Sequence, residues 1–180
     1  MIIIKQLPKA AITRLNEIER AEKIDLIYRY EAGRLVEERG VFDSPNWGQA
    51  HIAHLIALCR PHLAGAGVLL GALDGQTLAG VAVLGDPLFG RRLDQLQLVL
   101  LHVSRAYRRQ GVARQLMAEA VKRAKQRGAA YLYISATPSR SAVGFYLSQG
   151  CEVAKEVDPE LFALEPEDIH LIKRLEAKKA

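Results

Sequence analysis

Eight basic side chains and one acidic one fall between residues 105 and 127. The core of that run, Arg108-Arg109-Gln110-Gly111-Val112-Ala113-Arg114, follows an apolar stretch that ends at Val103. Beyond it Val112, Ala113, Leu116, Met117, Ala120, Val121 and Ala124 recur on one stripe at helical spacing. A basic turn therefore opens a helix, and the first amides of any helix have no intrahelical acceptor. A Ser, Thr, Asp or Asn side chain normally caps them, yet none stands at positions 108–111. Free amides, the positive end of the helix dipole and nearby guanidinium groups together suit a phosphate or pyrophosphate. Gly111 and the small Ala113 let the backbone come close to such a ligand. Neither G-x-x-x-x-G-K-[ST] nor a G-x-G-x-x-G after a strand is present, so the familiar nucleotide loops are not the source of the site.

The charge is local. Residues 1–90 carry 9 basic and 10 acidic side chains (−1), and residues 91–180 carry 16 and 10 (+6), together the net +5 of the chain. That pattern marks an anion site rather than a basic coat. Nucleic-acid binding is not expected, because the charge clusters at a helix start and on the solvent side of one helix. There Glu119 can pair with Arg123 one turn on. With 180 residues, 49 % of them apolar and 25 % charged, the chain is expected to form one domain over 1–180 with a single core. Cys59 and Cys151 lie far apart without metal-ligand spacing, which favours a reducing compartment. No apolar run approaches the ~20 residues needed to cross a bilayer. A cytoplasmic protein that does not engage membranes is expected.

The elements that must position the turn are legible in outline. Ile2–Lys5 reads as a strand, 10–20 as a weak helical stretch, and 24–31 with 34–41 as a hairpin about Ala32-Gly33. Asp43-Ser44-Pro45 is a helix start signal, predicting a helix from about Pro45 to Cys59 that stops near Pro61. Residues 68–73 and 78–84 form a hairpin about Asp74-Gly75-Gln76. A long strand is expected over 93–103, a helix over 109–127, a strand over 129–136 and a short helix over 139–148. Another strand follows at 151–157, and a last one at 169–175 closes the sheet. The order strand, helix, strand, helix, strand between Leu93 and Val157 sets a parallel crossover inside an otherwise hairpin-rich sheet. The fold class is thus α/β, in an α+β layered form: a mixed, mostly antiparallel central sheet flanked by helices.

Two segments resemble a known family. Arg108-Arg-Gln-Gly-Val-Ala113 is similar to the R/Q-x-x-G-x-G/A motif of the GNAT superfamily of N-acetyltransferases, preceded by its usual strand. Downstream, Ser139-Arg-Ser-Ala-Val-Gly-Phe-Tyr-Leu-Ser-Gln-Gly-Cys151 resembles that superfamily's N-x-x-A-x-x-x-Y-x-x-x-G-F segment, with Ala142, Phe145, Tyr146 and Gly150 in register. Ser139 and Cys151 depart from the usual asparagine and phenylalanine. The resemblance covers about residues 68–175, a core for coenzyme A, and leaves 1–65 as a variable, acceptor-side region.

The resemblance implies an acyltransferase of the EC 2.3.1 type that uses acetyl-CoA and transfers acetyl to a primary amine of a small molecule or peptide. It implies that the strand 98–103 separates from the strand 131–136, and that the pantetheine arm pairs with the backbone around Leu101, His102 and Val103. The pyrophosphate is then expected on the amides from Arg109 through Gln110, Gly111, Val112 and Ala113 to Arg114. Ser139, Ala142 and Tyr146 pack alongside, with Arg108, Arg109, Arg114 and Arg140 supplying positive charge. A homodimer is common in the superfamily and is a possibility here.

Acyl transfer from a thioester to an amine needs a neutral amine, a polarised carbonyl and a proton for the departing thiolate. Tyr146 resembles the tyrosine that often acts as general acid toward the CoA sulfur. The superfamily often has a glutamate on the strand matching 94–100, and Val99 occupies its commonest position here. Asp94 is the carboxylate left on that strand and is taken as the candidate base. His102 in its apolar strand is expected to fill the sheet rather than catalyse. His51 and His54, three apart without a companion ligand, do not indicate a metal site. The acceptor is expected to meet residues 28–43, Trp47 and the loop 85–92, where Glu31, Glu37, Glu38, Asp43 and Asp86 lend a negative cast. A non-catalytic CoA-binding or interaction protein on the same scaffold is the alternative.

Overall fold

In the computed structural model, which describes residues 1–175, the chain forms a seven-stranded sheet with helices on both faces and a separate two-stranded hairpin. Strand β1 (Ile2–Gln6) is followed by a 3₁₀ segment, Lys9–Glu17, and by the hairpin β2 (Glu22–Glu31) and β3 (Arg34–Ser44). Helix α1 (Gln49–Ala64) leads into β4 (Val68–Asp74), β5 (Thr77–Leu84) and β6 (Gln95–Val103). Then come α2 (Val112–Gln126), β7 (Tyr131–Ala136), α3 (Arg140–Ser148), β8 (Glu152–Val153), α4 (Pro159–Leu164) and β9 (Ile169–Arg174). The sheet order is β1-β4-β5-β6-β7-β9-β8. Only β6 and β7 run parallel; the other pairs are antiparallel. The mixed, mostly antiparallel layered sheet is as the sequence implies. No helix among the described residues is long and apolar enough to cross a membrane.

Two apolar clusters fill the faces. Leu116, Met117, Ala120 and Ala124 of α2 pack with Leu96 and Leu98 on one side, and Cys59 and Leu63 of α1 pack with Leu15, Leu69 and Leu100 on the other. A bulge in β6 connects the two. Leu84 pairs with Leu98 and Val83 with Leu100, so Val99 is an extra residue. The strict in–out alternation is broken there: Val99 and Leu100 both join the α1 side, whereas Leu98 and Leu101 face α2. A bulge bends its strand and ends regular pairing, and β6 bends away from β7 just past this point. Both cysteines are free and buried.

Several boundaries differ from the sequence expectation. Asp43 and Ser44 do not cap α1; they are the last rungs of β3, opposite Lys23 and Glu22. The hairpin ladder claims the cue, and α1 starts after Gly48. Pro61 does not stop α1, which continues to Ala64. In the last turn it removes one helical hydrogen bond, while Cys59 and Leu63 keep the end anchored in the core. The strand expected over 151–157 is only Glu152–Val153, and the last strand does not close the sheet. It inserts between β7 and β8. Helix α4 was not anticipated, although Asp158-Pro159-Glu160 is a start signal: the Asp158 carboxylate accepts from the amides of Glu160 and Leu161 at 3.1 Å.

Candidate active site

Strands β6 and β7 pair only through Gln95–Leu96–Gln97 against Tyr131–Leu132–Tyr133. Beyond that they diverge, and β6 from Leu98 to Val103 keeps β5 as its one ladder partner. The wedge between them opens into a cavity of about 980 Å³, lined by Leu98–Val103, the start of α2, the end of β7 and the inner side of α3. One edge of β6 thus offers backbone donors and acceptors to whatever enters.

At the mouth, α2 begins at Gly111, whose φ of +79° is left-handed, and no side chain caps the helix. Arg109 is also left-handed, at φ +63°. Such a conformation costs a residue with a Cβ about 1–2 kcal/mol and is retained where something holds it. Left-handed residues beside a helix start turn successive amides inward, forming a concave anion nest. A Cβ on Gly111 would meet nothing within 4 Å, so the glycine is needed for its backbone angle and the space before it is open.

The basic side chains of the turn part company here. Arg109 and Arg114 are exposed and line the cavity. Arg108 does not supply free charge: its guanidinium donates to the carbonyls of Val103 (3.2 Å), Ala21 (3.1 Å), Glu19 (3.4 Å) and Arg20 (2.6 Å). It is a clamp between the end of β6 and the segment entering the hairpin. The same bond engages the Val103 carbonyl. The ladder that joins Ser104 to Ala79 turns the His102 amide and carbonyl toward Val81 of β5. Leu101 alone therefore keeps the free backbone of the expected contact, and His102 does not share in it. The Gln110 side chain donates to the Ala106 carbonyl at 2.8 Å and also turns back on its own loop. Arg140 lines the cavity but pairs with Asp25 of β2 at 3.4 Å.

Helix α3 forms the second wall. Ser139 is its N-cap, accepting from the Ala142 amide at 3.2 Å, which satisfies the buried hydroxyl within the protein. Ala142 and Val112–Ala113 line the cavity as small walls. Tyr146 is 7 % exposed, and its hydroxyl makes no hydrogen bond among the described residues. Burial pushes its phenol above the ordinary value, with Cys151 and Asp168 adding to the shift. It therefore stays protonated and can present a proton but not remove one.

Asp94 is not at the site. It precedes β6 at the end far from the wedge, pairs with Arg92 at 3.0 Å and does not line the cavity. The strand must run from Gln95 to Leu98 before the opening begins, which puts a residue at 94 out of reach. His102 faces α1 and meets the Trp47 ring edge-on, with centroids 4.6 Å apart. Burial, with the charges of Arg20 and Arg108, drives its pKa down to about 3, so the imidazole is neutral and a poor proton acceptor. Of the expected acceptor elements only Trp47 reaches the cavity; residues 28–43 and 85–92 do not, and Glu22–Asp25 of β2 take their place. Asp86 lies elsewhere, paired with Arg127. Among the described residues no group of three His, Cys, Asp or Glu side chains is placed to hold a metal ion.

Four lining carboxylates were missed from sequence: Glu22 and Asp25 of β2, the first accepting from the Ser141 hydroxyl and the second paired with Arg140, and Glu165 and Asp168. Glu165 follows α4 and Asp168 precedes β9; both border the cavity, and the Asp168 charge acts on Tyr146. Burial, then the charge of Glu165, raises the Asp168 carboxyl to about 7. Glu165 is exposed overall; partial burial of its carboxyl pushes it up, against a Ser135 hydrogen bond and the charge of His54.

The stretch that holds the bulge-opened strand edge and the uncapped helix start matches a known family: residues 32–151 fit the one described as acetyltransferase (GNAT) family. The chain belongs to the GNAT family. No curated protein sequence matches it. Solved structures agree on the fold of this GNAT protein at low identity. A nourseothricin acetyltransferase superposes with a TM-score of 0.74 at 17 % identity, covering 97 % of this chain and 99 % of the other. The ribosomal-protein-S18-alanine N-acetyltransferase of Escherichia coli gives 0.61 at 15 %, covering 100 % and 99 %. The PaiA N-acetyltransferase of Thermoplasma acidophilum, solved in complex with coenzyme A, gives 0.59 at 16 %, covering 97 % and 99 %.

Proposed function

We propose that this GNAT protein transfers acetyl from acetyl-CoA to a primary amine of a small molecule or peptide, with Tyr146 as general acid. The observation that carries it is the coincidence, in one cavity, of an unpaired β6 edge, an uncapped α2 start and a buried tyrosine with a free hydroxyl. Coenzyme A fits these groups. Its amide-bearing arm suits the open edge near Leu101, and its phosphates suit the α2 amides with Arg109 and Arg114. A structure solved with coenzyme A among the neighbours supports the same choice.

When bound, acetyl-CoA supplies an activated thioester whose carbonyl accepts a nucleophile. The chain's own groups do the rest. An amide of the open β6 edge can donate to that carbonyl in a partly dry cleft, where a fixed dipole is worth more than in water. Tyr146, kept protonated by burial, holds a proton for the leaving sulfur. Trp47, His51 and neutral His102 line the α1 side of the cavity, with the Trp47 ring touching both imidazoles.

The test is thiol release from acetyl-CoA over a set of primary amines, run on wild type and Tyr146→Phe. The variant should lose about 100-fold in kcat, the lower range for a positioned acid, while its affinity for acetyl-CoA stays within about twofold. Full kcat in the variant would remove Tyr146 from the role. Acetyl-CoA binding without thiol release for any amine would favour a non-catalytic CoA-binding protein.

A further inference from the structure

The structure leaves one task of the reaction without a residue: removal of the amine's proton. Asp94 is out of reach, and His102 is too acidic when protonated. The turn between α4 and β9 supplies a candidate. The Asp168 amide donates to the Glu165 carbonyl at 3.1 Å, which folds the two carboxylates onto one short turn. In the β7–β9 ladder Ala136 lies opposite Ile169. Asp168 therefore falls just past the last rung, beside the end of β7 that β6 has left.

Both acids line the cavity, and neither forms an ion pair with any described residue. Tyr146 borders the same cavity, nine-tenths buried and with no hydrogen-bond partner for its hydroxyl among the described residues, close enough that the Asp168 charge acts on it. The charged and titratable groups around the turn are few. Tyr146 and, behind it, Cys151 come from the α3 side; His54 of α1 acts on Glu165; His170 follows on β9; and Arg29 of β2 reaches Glu167 at 4.0 Å.

Resting on the acyl-transfer function above, we propose that Asp168 takes the proton of the acceptor amine, and that Glu165 beside it draws in the ammonium form. Asp168 accepts one proton from the ammonium nitrogen. The freed lone pair forms the N–C bond as the thioester C–S bond breaks. Tyr146 gives its proton to the leaving sulfur and regains one through water from the second proton lost by nitrogen. Asp168 returns its own proton to solvent. A carboxyl that titrates near neutrality suits this task, because a base works best with a pKa near the working pH.

The experiment uses methylamine as the smallest primary amine, with wild type, Asp168→Asn and Glu165→Gln. Calorimetry with acetyl-CoA comes first. Unchanged affinity in both variants is expected, and failure of wild type to bind would sink the acyl-transfer function itself rather than this assignment. Next, ¹³C-carboxyl spectra of aspartate-labelled protein are followed as methylammonium is added. The resonance absent from Asp168→Asn should be the one that titrates near neutral pH and shifts with the amine. Finally, kcat/KM for methylamine should rise through neutral pH in wild type and fall at least about 100-fold in Asp168→Asn. Glu165→Gln should raise KM and spare kcat. An Asp168 resonance indifferent to methylammonium, or an Asp168→Asn enzyme with the wild-type rate and pH profile, would overturn the proposal.

Discussion

Replacing Arg108 with alanine separates the two jobs that its basic turn combines. Its guanidinium donates to four backbone carbonyls, three of them from residues 19–21, across more than 80 positions of sequence. A hydrogen bond to a charged group is worth about 1.5–3 kcal/mol. The contact at 3.4 Å is weak, and half-buried carbonyls regain water when released. A loss of about 3 kcal/mol, well short of the simple sum, is therefore expected for Arg108→Ala. Urea denaturation should show a lower midpoint with little change in slope. Calorimetry on the folded variant should find acetyl-CoA affinity within a fewfold of wild type if, as proposed, the anion site uses Arg109, Arg114 and the α2 amides. An Arg108→Ala protein of native stability that no longer binds acetyl-CoA would refute the clamp and return Arg108 to the phosphates.

Three further outcomes follow from the geometry and from the chemistry above. Asp168 has a folded-state pKa raised from 3.8 to about 7, so the native state holds that proton more tightly than the unfolded chain. Its contribution favours folding below pH ~4, is lost as pH rises toward ~7 and levels off above. At about 1.4 kcal/mol per unit, discounted for partial exposure, Asp168→Asn should gain about 2 kcal/mol over wild type at pH 8 and almost nothing at pH 4; urea midpoints at both values check this. Arg109→Gly relieves a left-handed φ of +63° and should raise stability by about 1 kcal/mol. The same variant should weaken acetyl-CoA about fivefold, with a shallower salt dependence in calorimetry, since one exposed charge is worth about 1 kcal/mol.

Much of this architecture is legible in the residues, and what is not has definite causes. The α2 stripe, the β4–β5 hairpin and the tight turn at Gly111 follow from local pattern, and the family match confirms the frame they imply. Arg108 misleads because sequence displays its charge but not the carbonyls of residues 19–21 that the hairpin segment brings to it. Asp94 misleads by position: it stands just before β6, at the paired end, where the amides of Ala130 and Tyr131 hold its carbonyl. Glu165 and Asp168 sit in a polar stretch that reads as solvated loop. Only the insertion of β9 between β7 and β8 carries them to the wedge. Asp43-Ser44-Pro45 has the chemistry of a helix cap, but the β2–β3 ladder runs through it first.

Whether the α2 start and the open β6 edge form the proposed coenzyme A site is decided by calorimetric titration with acetyl-CoA of wild type, Gly111→Ala and Gly111→Glu. Both substitutions carry the same left-handed strain of about 1–2 kcal/mol, and a Cβ there meets no atom. They differ in bulk and in a negative charge set at the positive end of α2. One-to-one binding in wild type, retained in folded Gly111→Ala and lost in folded Gly111→Glu, is the predicted result. No binding by wild type at high micromolar acetyl-CoA, or equal binding by all three, would contradict it.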